Sequence, residues 1–168
     1  MIGFCGAINI CGGEVRFSDM RRMCGPHTTG CAFINGSYGI LCDGALEERR
    51  IQPVMVSKKG YLYISAVICE TPDGDNGTVA QAALEGYMEE GEGYIHRLEF
   101  PYAVALYDGR RGELLLTKGH LGDVPLFASL QDGTVYFATS LTALFRLFGG
   151  KVRVDRRVLI SHLTGAPQ

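Results

Sequence analysis

The sequence predicts an α+β fold, with antiparallel sheets and helices outside them. Three observations lead there. Short apolar β-like runs alternate with glycine turns over most of the chain, most of those runs are joined by tight hairpin connections, and helical periodicity is confined to a few separate segments.

Taken in order, residues 2–10 form a first apolar strand, and a short turn of helix is expected at residues 18–23. Residues 31–34 and 38–41 read as a hairpin around Asn35-Gly36, because Asn-Gly readily adopts the positive φ of a type I′ turn. Residues 61–68 are a strand of aromatic and aliphatic side chains, followed at 71–77 by an Asp/Gly/Pro-rich surface loop. Thr78 is expected to cap a helix running to about Glu90, with Val79, Ala82, Ala83 and Tyr87 on its inner face. Two further hairpins follow, 102–107 with 113–117 and 126–130 with 134–138, turning at 108–112 and 131–133. Ser140 is expected to cap a helix whose stripe is Leu141, Leu144, Phe145 and Phe148, with Gly149-Gly150 as its stop. Asp155 is expected to cap a last helix with Val158, Leu159 and Leu163 inward. With no internal repeat, low-complexity tract or interdomain linker, residues 1–168 read as a single domain.

Composition narrows the class of function. The chain is 46% hydrophobic and 20% charged, which places it among globular proteins with a proper core. A net charge of −2 gives no electrostatic reason to expect nucleic acid or an anionic membrane as partner. No apolar run is long enough to span a bilayer, and the apolar start lacks the basic region and cleavage site of a secretory signal. The six cysteines (Cys5, Cys11, Cys24, Cys31, Cys42 and Cys69) suit buried thiols in a reducing cytoplasm better than a disulfide framework.

Several segments carry a family signature when read together. These are Gly3-Phe4-Cys5-Gly6, Cys24-Gly25-Pro26-His27 followed by Gly30, Gln52-Pro53, and Ala103-Val104-Ala105-Leu106-Tyr107-Asp108. Lys118 to Phe127 with its Gly122-x-x-Pro125-Leu126 core, Phe137-Ala138-Thr139-Ser140, and Val154-Asp155 with Leu163-Thr164-Gly165 complete the series. In order and spacing they resemble the glutamine amidotransferase domain that opens the asparagine synthetases. The resemblance implies an N-terminal-nucleophile αββα sandwich, two antiparallel sheets flanked by helices.

It also implies a chemistry that this chain does not supply. In the family, the residue after the initiator Met is a Cys whose thiolate attacks the amide, with its own α-amine as base. Here that residue is Ile2, which also keeps Met1 in place. The family's oxyanion donors come from an Asn-Gly pair, whereas the corresponding strand reads Tyr63-Ile64-Ser65-Ala66-Val67-Ile68-Cys69-Glu70. The Asp that holds the glutamine amino group falls at Val79, and the Arg that grips its carboxylate has no secure match near Arg49 and Arg50. Losing nucleophile, oxyanion donors and substrate clamp together is not the product of one substitution. The glutaminase reads as naturally degenerate, a pseudoenzyme.

Cys5 is the one candidate for a substitute nucleophile, set against the reading of a packed structural thiol. Cys24, His27 and Glu70 are candidate lining groups of the vacated glutamine pocket. Cys24-x2-His27-x3-Cys31, with Cys42 or Cys5, lacks the paired spacings of a zinc site, so no metal is expected. His120 beside Asp123 reads as a loop histidine satisfied locally. No pyrophosphate loop or Walker sequence is present, and no cofactor is expected.

Three functions therefore compete. The first is a noncatalytic structural partner of an ATP-dependent synthetase domain or subunit, which predicts an exposed apolar patch. The second is a working glutamine-hydrolysing amidotransferase served by Cys5 or an altered N-terminus. The third is a binding module for another small molecule in the vacated pocket. Homo-oligomerisation stays open in all three.

Overall fold

The structure, a computed structural model, describes residues 3–24, 32–36, 38–43, 54–69, 76–119 and 124–149. The first strand, β1 (Gly3–Asn9), leads to α1 (Phe17–Cys24). Next come β2 (Ala32–Asn35), β3 (Tyr38–Asp43), β4 (Val54–Lys58) and β5 (Tyr61–Cys69). Then follow α2 (Asn76–Glu90), α3 (Glu92–His96), β6 (Tyr102–Asp108), β7 (Glu113–Lys118), β8 (Phe127–Gln131), β9 (Thr134–Ala138) and α4 (Leu141–Phe148). The expected helix after Asp155 lies outside the described residues.

The strands form two antiparallel sheets, ordered β2-β3-β1-β9-β8 and β4-β5-β6-β7. Because side chains alternate across a strand, each sheet has two apolar faces to cover. Phe4 and Ile8 of β1 pack with Ile64, Ala66, Ala103, Ala105 and Phe137 in the space between the sheets. The opposite residues of β1, Cys5 and Ala7, meet Met20 and Met23 of α1 and Ala143, Leu144 and Leu147 of α4. On the far side, Val67, Cys69, Val104 and Leu106 are covered by Ala80, Ala83, Leu84 and Tyr87 of α2 and by Ile95 of α3. The layers thus run α-β-β-α, as the resemblance implies.

Small residues set the central strand's closeness to its neighbours. A Cβ on Gly6 would lie 2.7 Å from the Gly39 carbonyl oxygen and would overlap the Phe137 ring. Across the sandwich, Tyr38 stacks on Tyr107 with ring centroids 4.5 Å apart. Tyr38 pairs with Ile8 in one sheet and Tyr107 with Ile64 in the other. This stack therefore fixes one end of the sandwich and leaves Gly3 of β1 and Cys69 of β5 at the other.

The hairpins follow the sequence reading with instructive shifts. Asn35 pairs with Tyr38, so Asn35 closes the ladder and the positive φ falls on Gly36 as the first loop residue. The β8–β9 turn is Asp132-Gly133, both at positive φ, as a type I′ turn requires. The β4–β5 turn, Lys59-Gly60, has the same geometry and was not expected, nor were β4 and α3. Helix α2 begins at Asn76, so Thr78 is not its cap. Its inner face is Asn76, Ala80, Ala83, Leu84 and Tyr87, leaving Ala82 exposed and Val79 half-buried. Helix α4 follows Ser140, which is extended but makes no side-chain capping bond, and ends at left-handed Gly149. It buries Ala143, Leu144 and Leu147, while Leu141 and Phe145 face solvent. No described helix is long and apolar enough to cross a membrane.

Candidate functional site

The family's chemistry would be expected at the start of β1, so that end of the sandwich is the place to look. Phe4 is anchored there on both backbone groups. Its N–H donates to Thr139 Oγ1 at 3.1 Å, the same hydroxyl donates to its carbonyl at 3.3 Å, and Thr139 N donates to that carbonyl at 3.0 Å. A Cβ at position 3 would overlap the Thr139 hydroxyl, so only glycine lets the strand enter this close. The chain before the sheet therefore has a fixed point of departure at Gly3.

Cys5 directly follows the anchored Phe4, and the alternation of β1 turns it away from the space between the sheets. It is 3% exposed and packs under α1 and α4. Its Sγ lies 3.0 Å from Sγ of half-buried Cys24, the last residue of α1. The Cys24 carbonyl in turn accepts a bond from Arg146 of α4 at 3.0 Å, which ties the two outer helices together. Cys5 and Cys24, proposed from sequence as nucleophile and pocket lining, are thus brought together where the end of α1 meets β1. His27, Glu70, Ile2 and His120 lie outside the described residues.

At the same end of the other sheet, sequence reasoning missed Asn76. It is buried, and its Oδ1 accepts from Cys69 N at 2.9 Å and from Cys69 Sγ at 3.3 Å. A side-chain carbonyl at the first residue of α2 thereby holds the last residue of β5 in place. The signal was present, since Asn is a favoured residue at helix starts. The Asp/Gly/Pro-rich surroundings masked it as part of a loop. This contact positions backbone. Among the described residues no three His, Cys, Asp or Glu side chains gather as a metal site needs, and Cys31 and His27 lie outside them.

A second feature of the same half of the molecule is a groove of about 1230 Å³ along β8 and α4. Its walls include Leu130, Leu141 and Phe145, which are 64%, 46% and 41% exposed, so an apolar strip faces solvent beside an edge strand. Glu14, Arg16, Asp19 and Arg22 give it a mixed-charge rim. Gly149, where the described chain leaves α4, lines it too.

A family model for the glutamine amidotransferase domain matches residues 75–167. Among characterised proteins, asparagine synthetase B [glutamine-hydrolyzing] of Escherichia coli (strain K12) is 32% identical to this chain over 69 residues. That stretch is 40% of this chain and 12% of the relative, so the similarity spans only a small part of the larger protein.

Proposed function

This chain belongs to the glutamine amidotransferase domain family, and from that premise we propose that it is a noncatalytic member of asparagine synthetase type, one domain over residues 1–168, serving as structural partner of an ATP-dependent amide-forming synthetase. The observation that carries the reading is the placement of Cys5. With Ile2 in the nucleophile's position, Cys5 is the nearest thiol along the chain, and it points into the helical layer with its sulfur against Cys24. Nucleophilic catalysis needs a thiolate within reach of both a base and the substrate carbonyl. Packing under two helices is the setting of a structural thiol. Buried thiols of this kind also suit a reducing cytoplasm.

Support for the partner role comes from the groove along β8 and α4. A strip containing Leu130, Leu141 and Phe145 is the kind of surface that a neighbouring domain or subunit covers. Gly149, the last described residue, also lines this groove, and a synthetase docked on this face would cover the strip.

The test is glutamate release from millimolar glutamine by the purified protein and by an Ile2→Cys variant. Both are expected to stay at the background of a no-protein control, because neither has an Asn-Gly donor pair on the strand that ends Ile68-Cys69. Release above background that Cys5→Ala abolishes would overturn the reading in favour of a working amidotransferase.

A further inference from the structure

At the opposite end of the second sheet from Cys69, two turns bring four cations to one cavity of about 320 Å³. Lys58 and Lys59 come from the β4–β5 hairpin, and Arg110 and Arg111 from the β6–β7 connection. Tyr61 and Tyr87 are among the aromatic groups of its wall. Among the described residues, Lys58, Lys59 and Arg110 make no ion pair, and Arg111 has only an exposed contact to Glu113 at 3.5 Å. The chain as a whole carries a net charge of −2, so this is a local concentration of positive charge that overall composition does not account for.

Two features mark the arrangement as built. The arginine turn is tied down by hydrogen bonds. Buried Asp108 accepts from the backbone N–H groups of Arg110 and Arg111 through Oδ1, at 2.8 and 3.2 Å, and from Tyr87 through Oδ2 at 3.3 Å. Gly109 N donates to the Leu62 carbonyl at 2.8 Å, which clamps the turn to β5. Asp108, the one carboxylate among the described residues of the cavity wall, is therefore occupied in holding the turn, which leaves Arg110 without an ion pair among the described residues and Arg111 with its exposed contact to Glu113. The lysine turn is informative for the opposite reason. Lys59 sits at φ +53°, a conformation that Asn, Asp and Gly adopt at lower cost. The β8–β9 turn has the same geometry and places Asp132 at the equivalent position. Turn geometry alone does not call for a lysine, and a strained residue held at a cavity is a pointer to function.

We propose that these two turns form a binding site for a small phosphate polyanion, a pyrophosphate or the diphosphate of a nucleotide. Guanidinium groups suit phosphate oxygens with paired donors, and the lysines add mobile point charges. The cavity volume is that of a small-ligand site. The proposal stands independently of whether the domain turns over glutamine.

Isothermal titration of the purified protein with sodium pyrophosphate, and separately with ADP, tests it. Both are expected to bind at low ionic strength and to weaken as sodium chloride is raised. Tighter binding of ADP would assign the ligand to the nucleotides through the tyrosine wall, and equal or tighter binding of pyrophosphate would assign it to the free anion. Lys59→Gly keeps the left-handed turn, and Arg110→Gln keeps the backbone donor to Asp108. Each is expected to weaken binding by about tenfold without lowering the ligand-free melting temperature, the scale of losing one charge-assisted contact. Absence of binding of both probes at millimolar concentration, or undiminished binding by both variants, would overturn the proposal.

Discussion

Thr139 grips Phe4 on both of its backbone groups, accepting from its N–H and donating to its carbonyl, and the grip is possible only because residue 3 is glycine. Phe4 lies at the start of the central strand of its sheet, so this contact fixes where the sheet begins. Thr139→Val keeps the side-chain shape but leaves the Phe4 N–H buried without its acceptor, which should cost about 1–3 kcal/mol in urea unfolding. Gly3→Ala places a methyl against the Thr139 hydroxyl and should destabilise comparably. Because the second loss comes from overlap with the first residue's side chain, Gly3→Ala and Thr139→Ala should be non-additive, with the double variant more stable than the sum predicts. Strict additivity would show that the methyl is accommodated elsewhere.

Much of this fold was legible because its hairpins advertise themselves. Asp132-Gly133 and the long turn after Asp108 stand between unmistakable apolar runs. Lys59-Gly60 adopts the same turn as Asp132-Gly133, but lysine gives no local signal for it, and β4 was missed with it. Helix faces were harder to read. In α2, alanine and glycine hide the period, and in α4 the largest apolar residues are not the buried ones. Leu141 and Phe145 lie one turn apart on the outer side, while Ala143, Leu144 and Leu147 face the sheet. Hydrophobicity alone placed Leu144 and Phe148 correctly against the core but added the exposed Leu141 and Phe145, which a hydrophobicity pattern cannot tell from core. At the candidate site, the sequence showed Ile2 where the resemblance implies a Cys. The burial of Cys5 against Cys24 depended on strand alternation in a sheet whose partners could not be assigned in advance.

Alkaline titration should reveal the Tyr87–Asp108 contact. Burial, followed by the charge and hydrogen bond of Asp108, raises the Tyr87 phenol above its ordinary value of 10.0. Tyr136 is raised chiefly by burial as well, with Asp19 adding to it. A folded-state value above the unfolded one means that the native state holds the proton more tightly. The resulting stability is present below the unfolded value, about pH 10, and is lost as pH rises through the folded value. The urea midpoint should fall as the solution is taken above about pH 10, and the fall should be shallower in Tyr87→Phe and shallowest in the Tyr87→Phe/Tyr136→Phe double variant. Parallel curves for all three proteins would remove the tyrosines as its cause.

The Arg110-Arg111 turn depends on a close backbone approach. A Cβ at Gly109 would overlap the Leu62 carbonyl oxygen and lie 3.2 Å from Leu62 N, so the obstruction is main chain and has no rotamer to escape into. Gly109→Ala should therefore destabilise by about 2–4 kcal/mol, the range of backbone-strain and overpacking effects. Amide hydrogen exchange should accelerate first at Arg110 and Arg111, whose N–H groups are bonded to Asp108. Unchanged protection at those two amides would mean that the turn does not rely on the approach.

The exposed face of α4 separates docking from folding. Leu141 and Phe145 are largely outside the core, whereas Leu144 and Leu147 are inside it. A Leu141→Lys/Phe145→Lys double variant should thus unfold within about 0.5 kcal/mol of the parent, as surface substitutions do. Leu144→Ala should cost about 2–5 kcal/mol through the cavity it leaves. If the groove seats an amide-forming synthetase, that enzyme should co-purify with the parent chain near one-to-one and be lost from the lysine variant while the fold is retained. Lysines on this strip place charge where the partner would have to desolvate it, a penalty that binding cannot recover without a counter-charge. Full retention of the synthetase by the lysine variant would move the interface to another face of the domain. Loss of the synthetase together with loss of the folded state would show instead that α4's outer residues belong to the core after all.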